Sequence, residues 1–519
     1  LFLGLSWWWL SEDHSIPIFD AGLHLTSAME VYERLRSGHV GAALTLTYPY
    51  PPFAFLVGVL GLWVGGLGVA QAIFAQDLVF VPLLALGCYG AGRLAFGSRA
   101  GLLAVVVALG SPLIVAQFHV FMIDAPEAAM VALAVWLVLA SDGFSRVGPS
   151  VAAGVAVGLG LLTKEPFAFF VAGVLVAALV RAGLRASRGE WRALWGLVAF
   201  SLIALAIALP WYVHYFTQVR ELARSTTISG NRETYTGVAP PSFSAQNLTW
   251  YLWNITNAQL YVPLFVFALV GGTWTVVGLA RRRPIGRFTW DLLAGAFIGW
   301  MGITFTFVHD VRYSIPLLIY LAVFAGCWIG RLPRIARLSA TGALVVLTVA
   351  NTLAVNFGVG RPVRISLPGS KASEMQNPGI LTLYSNGGFP VGRPSRDGDV
   401  LALMRTLRHH GVRAVGWINL DSGEPPPALT PIFSKAGLKT FAAIAGLKVI
   451  PTEAWEQEPS ERRTFGAGDA LLGHGQVRTH EPPPCVKLSD GSGVWVRLGN
   501  PNASGAKDYC PYRHPALYG

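Results

Sequence analysis

The stretch GVAVGLGLLTKEPFAFFVAGV, residues 154–174, decides how the chain is to be read. It is apolar on both sides of one charged break, Lys164-Glu165-Pro166. Neither half is generous as a membrane crossing, and Pro166 opposes a helix running unbroken through the middle. Ionisable side chains cost about 3 kcal/mol each at the centre of a bilayer, so the break belongs near a membrane surface. Two short spans then meet at one face. The letters GLGLLTK are not a phosphate-binding P-loop, because the spacing is wrong and the preceding strand is missing. A lysine here is a compact cation suited to a phosphate. The alternative is a snorkelling Lys164 paired with Glu165.

The rest of the chain supports a membrane setting. It has 519 residues, 53% of them hydrophobic and only 13% charged, with mean hydropathy +0.50; a soluble protein would carry about twice that charge. Apolar runs give candidate spans at 1–10, 74–94, 101–119, 125–141, 150–163, 167–182, 193–210, 259–279, 289–308, 313–330 and 338–357. The chain opens without Met inside the apolar Leu1–Leu10, read as the remainder of a first span. The net charge of +11 does not point to nucleic acid, since the arginines sit at the ends of apolar runs. With the first span starting inside, the cytoplasmic turns hold Arg93 and Arg99; Arg146; Arg181, Arg185, Arg188 and Arg192; Arg281, Arg282, Arg283 and Arg287; and Arg331, Arg334 and Arg337. Every one is positive inside. This alternation requires that the apolar 51–69 does not cross, so 11–73 reads as one outer loop with a segment dipping into or lying on the membrane.

From about residue 358 the chain turns polar and rich in Pro and Gly. Strand-like and helix-like pieces alternate there: GILTLYS, DVLALMRTLRHHG, RAVGWINL, LTPIFSKAGLKTFAAIAG and LKVIP, then a hairpin around DGSGVWVRL. The expectation is an α-helical polytopic membrane protein of about eleven spans. Residues 1–357 form its membrane domain, with outer loops 11–73 and 211–258, and 358–519 a soluble α/β domain on the outer side. Cys88 and Cys327 lie in apolar runs, while a Cys485–Cys510 disulfide is open to a tail outside the cell.

Several polar residues fall at the outer level of this topology. Asp20, in IPIFDAGLHLTSAMEVYERLRSG, lies just beyond the first span, with His24 one helical turn later; the alternative is an N-cap. Asp124, in FHVFMIDAPEAAM, opens an inward span, and Asp-Ala-Pro-Glu with Glu127 also reads as a capping pattern. The span end Pro210-Trp211-Tyr212-Val213-His214-Tyr215 fits either an interfacial aromatic belt or a sugar cleft. The loop to Ala258 adds Arg220, Arg224, Arg232, Tyr235, Trp250, Tyr251 and Trp253. In His309-Asp310-Val311-Arg312-Tyr313 the choice is between a phosphate contact through Arg312 and an internal Asp–Arg pair in a tight turn.

The order of these segments resembles the polytopic GT-C glycosyltransferases of the protein O-mannosyltransferase and aminoarabinose-transferase type. Those enzymes carry an acidic first outer loop (FDAGLHL), a Pro-Pro aromatic segment (YPPF) and an Asp between the third and fourth spans (MIDAPEAAM). A Leu-Thr-Lys-X-Pro turn (LLTKEPFAFF), a Pro-Trp-Tyr span end (LPWYVHYF) and an Arg-Tyr-X-X-Pro span start (VRYSIPLLIYLAVFAG) follow. All six occur here in order, covering residues 17–325. Two departures stand out. The first-loop Asp-Glu pair is Asp20-Ala21 here, which weakens a case for metal, and the usual Gly before Pro is Glu165.

The resemblance implies a sugar donor linked to a polyprenyl phosphate, with an acceptor that is a protein hydroxyl, lipid or cell-envelope glycan. Lys164 and Arg312 would meet the donor phosphate, with His24, Tyr313, Trp211 and Glu165 lining the substrates. Asp20 would be the base for a hydroxyl acceptor and Asp124 would organise the pocket, giving inversion at the sugar carbon. No resident cofactor is implied, and a divalent metal stays open. Membrane lipids, and a partner in a membrane complex, complete the expected surroundings, in the plasma or inner membrane with the site outside. The rival readings are a transporter or lipid flippase, for which a two-fold repeat with charges at mid-membrane is expected, and an inactive structural subunit.

Overall fold

The computed structural model describes residues 1–17, 19–45, 47, 49–225, 233–234, 237–238, 240–283, 285–367, 380–386, 394–395, 399–419, 435–449, 469–476, 484–487 and 492–498. Within them, seven helical stretches are long and apolar enough to cross a membrane: Val69–Phe96, Asp124–Ser141, Phe167–Ala186, Arg192–His214, Tyr261–Ala280, Val311–Arg331 and Arg334–Phe357. Phe53–Gly65, Ser98–Leu109 and Val147–Leu161 are shorter apolar helices. The chain is a helical polytopic membrane protein. Phe53–Gly65 has 13 residues, about 20 Å at 1.5 Å per residue, short of a hydrocarbon core about 30 Å thick.

Some expected spans are interrupted, each for a local reason. The run 101–119 breaks between Ser98–Leu109 and Pro112–Gln117: Pro112 has no N–H to continue the ladder, and takes the first position of the second helix instead. The run 313–330 starts as a 3₁₀ stretch, Val311–Leu317, holding Pro316, and becomes α-helical only at Leu318. The run 259–279 is entered through a π-turn, Ile255–Gln259, followed by Tyr261 in the left-handed region at φ 58°. The helix ending in Pro-Trp-Tyr continues through Pro210 to His214.

Contacts divide the chain into two units. The first holds residues 1–6, 47–57 and 75–393. Without water to drive helices together, its packing rests on close backbone approach at small residues. A Cβ on Gly271 would stand 1.8 Å from the Phe324 carbonyl oxygen, and one on Gly173 2.2 Å from that of Ala294. The helix Asp124–Ser141 ends in three successive left-handed residues, Asp142, Gly143 and Phe144. There the Asp142 carboxylate accepts hydrogen bonds from Arg185 at 2.8 Å and Arg287 at 2.6 Å, and Arg181 pairs with Asp291. The loop between 211 and 258 joins this unit through Glu233–Thr234, parallel to Val308–His309.

The second unit holds residues 7–46, 58–74 and 394–519. A five-stranded sheet forms from the tail. Ala414–Asn419 lies parallel to both Lys448–Val449 and Asp469–Gln476, and Ser492–Leu498 runs antiparallel to Asp469–Gln476 and to Val486–Lys487. Its apolar core joins Val415, Leu472 and Val494 of the sheet to Leu403, Met404 and Leu407 of the helix Val400–His409. The alternation expected from the tail sequence is present in Ile380–Tyr384, Val400–His409, Ala414–Asn419, Lys435–Ile444 and the antiparallel strands Val486–Lys487 and Ser492–Leu498. The Cys485–Cys510 pairing, and the roles of Arg232 and Tyr235, lie outside the described residues.

Candidate active site

The site is built on the first turn of the helix Asp124–Ser141. Ile123 holds the N-cap position, so Asp124 stands one place inside the helix rather than at its cap. Asp124 and Glu127 stand three residues apart on one face, where the positive end of the helix dipole favours carboxylates. Both are buried, at 2% and 1% exposure.

Lys164 arrives on that face from the turn between Val147–Leu161 and Phe167–Ala186. Its Nζ donates to Asp124 Oδ1 at 2.6 Å, lies 3.7 Å from Glu127 Oε2, and sits 4.6 Å from the centre of the Tyr313 ring. The snorkelling alternative does not hold, because the ammonium is buried (5% exposed) among two carboxylates and a phenol. Burial pulls the Lys164 ammonium down, but the charges of Asp124 and Glu127 and the Tyr313 phenol outweigh it and hold it above the ordinary lysine value. Lys164 is a fixed cation. Its neighbour Glu165 is half-buried, and desolvation pushes that carboxyl up to about 7. One of its oxygens has no hydrogen-bond partner among the described residues.

Arg312 comes from a tight turn, as the sequence suggested, and there it does form the internal pair. The Arg312 Nε donates to the Asp310 oxygens at 3.0 and 3.1 Å, and Nη2 donates at 2.6 Å. Asp310 also accepts from the Arg312 backbone N–H at 2.9 Å, opening the 3₁₀ stretch. Yet the guanidinium stays beside the Asp124 segment, with Nη1 3.8 Å from Met122 Sδ. Gln259, from the π-turn, pins the Arg312–Tyr313 turn by donating to the Val311 carbonyl and Ser314 Oγ.

Two further sequence features converge on the Lys164 turn. The Pro51-Pro52-Phe53 segment reaches it through the Phe53 N–H, which donates to the Leu162 carbonyl at 2.8 Å. Tyr212, in the Pro-Trp-Tyr segment, donates from its hydroxyl to the Leu161 carbonyl at 3.0 Å. Trp211 packs edge-on against Tyr212 with ring centres 5.0 Å apart, and its buried Nε1 has no hydrogen-bond partner among the described residues.

Asp124, Lys164, Glu165, Arg312, Tyr313 and Trp211 thus belong to one unit, brought together from segments up to 190 residues apart. Asp20 and His24 belong to the other. Asp20 stands in the first turn of Phe19–Arg36 and is half-buried, while His24, one turn on, is buried. Glu127 was legible in the sequence only as a capping residue, though its three-residue spacing from Asp124 already placed both carboxylates on one face. Tyr212 appeared only as part of an aromatic run. Among the described residues, no group of three or more His, Cys, Asp or Glu is placed to hold a metal ion.

Residues 50–214, about a third of the chain, match the family described as dolichyl-phosphate-mannose-protein mannosyltransferase. No curated protein matches the sequence. Among solved structures, ArnT from Cupriavidus metallidurans bound to undecaprenyl phosphate is similar, with TM-score 0.55 and 16% identity over 97% of this chain and 98% of that one. The same protein in the apo state gives TM-score 0.57 and 17% identity, covering 96% of each chain. The likeness spans almost the whole of both chains and is one of fold.

Proposed function

We propose that this chain, a polytopic membrane glycosyltransferase of the GT-C class, moves a sugar from a polyprenyl-phosphate carrier to an acceptor outside the cytoplasm. The observation that carries the reading is the meeting of Lys164 with Asp124 and Tyr313 beside the Arg312 turn. A buried, permanently charged ammonium is suited to a leaving group that is itself a phosphate. Such a group departs as a weak base and needs charge stabilisation rather than a proton. Lys164 is assigned that task and Arg312 assists it. Arg312 is already held by Asp310, so it enters as a fixed charge instead of a free fork.

An acceptor hydroxyl is a poor nucleophile and needs a base within hydrogen-bond reach. Asp20 is assigned this role, with His24 beside it, and Asp124 organises the pocket together with Tyr313, Trp211 and Glu165. One base acting on the face opposite the leaving phosphate inverts the sugar carbon. If the acceptor is itself a phosphate, Asp20 positions it. In this reading the chain crosses the membrane about eleven times. On this reading the basic turns face the cytoplasm, and the site and residues 358–519 lie on the outer side.

Native mass spectrometry of the purified chain, with undecaprenyl phosphate added as probe, tests the phosphate site. The wild type is expected to retain the lipid and Lys164→Ala to lose it, while Asp20→Asn retains the lipid but abolishes transfer in membranes. Undiminished lipid retention by a folded Lys164→Ala protein refutes the assignment.

A further inference from the structure

Two carboxylates face the Lys164 ammonium, and they hold it unequally. Asp124 is at 2.6 Å and Glu127 at 3.7 Å, so a movement of about 1 Å would exchange them. Glu127 is buried to 1% exposure, and its Oε1 has no hydrogen-bond partner among the described residues. A buried carboxylate left with an unpaired oxygen is costly. Burying it one turn from Asp124, against the same lysine, makes sense if another state of the enzyme uses it. The backbone need not move for the exchange, since both carboxylates sit on one face of a helix first turn. The lysine stem is flexible enough to cover the distance.

We propose that Glu127 is a second seat for the Lys164 ammonium. When the donor phosphate arrives, Lys164 shifts from Asp124 to Glu127, keeping its charge and a buried counter-ion while it bonds the phosphate. The shift frees an Asp124 oxygen to accept a hydrogen bond from substrate. Glu127 is then a positioning residue, acting through Lys164. The inference rests on Lys164 meeting the donor phosphate, and it adds a moving part that the static pair does not reveal.

The test uses the full chain in lipid nanodiscs, titrated with undecaprenyl phosphate, with thermal unfolding recorded for every variant. Lys164→Ala is expected to lose binding. Glu127→Gln is expected to bind roughly tenfold more weakly, the scale of one lost charged hydrogen bond, with its unfolding midpoint close to that of the wild type. Simple charge counting makes the opposite forecast for Glu127→Gln, because removing a carboxylate relieves repulsion of the phosphate. Tighter or unchanged binding by Glu127→Gln therefore overturns the proposal. If Glu127→Gln fails to fold, the wild-type structure with undecaprenyl phosphate decides: Nζ within about 3.2 Å of Glu127 supports the exchange, and Nζ still on Asp124 refutes it. Normal binding by Lys164→Ala would instead remove the phosphate-site reading itself.

Discussion

Lys164→Met removes the ammonium while keeping most of the side-chain bulk, and its consequences can be worked from the geometry. Asp124 and Glu127, at 2% and 1% exposure, would lose the cation that lies 2.6 and 3.7 Å away. Breaking a buried pair by deleting one partner costs about 3–5 kcal/mol, because a charge stays buried without compensation. That is a large share of a stability of about 5–15 kcal/mol. Losing a preorganised charge at the leaving phosphate costs a further factor of about 10²–10³ in rate. The two effects separate in the triple variant Lys164→Met, Asp124→Asn, Glu127→Gln, where no buried charge is orphaned. Thermal unfolding in detergent should show Lys164→Met well below the wild type and the triple variant substantially recovered. Transfer in membranes should be lost in both. A single Lys164→Met protein that unfolds at the wild-type temperature would refute the buried triad.

Glu165 gives the site a pH dependence. Its folded carboxyl titrates near 7, above the ordinary 4.5, so the contribution of the neutral form to stability is complete below about 4.5 and is lost as pH rises through 7. Falling pH also removes a negative charge next to Lys164. Undecaprenyl phosphate affinity should therefore rise from pH 8 to 6 more steeply in the wild type than in Glu165→Gln, where only the lipid phosphate, with a second pKa of about 6, still titrates; identical profiles would exclude the effect. Arg312→Lys keeps the charge but cannot reproduce the three side-chain contacts with Asp310. Lipid-phosphate affinity should fall at least several-fold, and wild-type affinity would show the fork to be dispensable. Gly271→Ala puts a methyl 1.8 Å from a carbonyl oxygen on the facing helix, so unfolding should come at a markedly lower temperature. Gly272→Ala, whose methyl meets open space, is the control and should unfold like the wild type.

The class of the protein was legible because its physical signals are local. Apolar length marks a span, and the charged break at Lys164-Glu165-Pro166 marks where two apolar helices part. The tail was legible too, since the period of RAVGWINL and the spacing of DVLALMRTLRHHG need no knowledge of partners. Exceptions arose where distant packing outweighs local preference. The stretch 101–119 looks continuous, yet Gly110 lies against the Thr348 methyl and Pro112 begins a new helix. Asp-Ala-Pro-Glu looks like a cap, yet its Asp is held by a lysine 40 residues away.

What the sequence determined by itself was the list of chemically unusual residues and their order along the chain. Whether Asp124 capped a helix or faced a cation, and whether Lys164 escaped to water or stayed buried, was decided only by the fold. Each of these side chains has two stable options within its own segment, close in free energy. The choice turns on which charge the rest of the chain brings within 4 Å, and the unequal spacing of Asp124 and Glu127 around Lys164 exists only once the Lys164 turn has met the helix that carries both carboxylates.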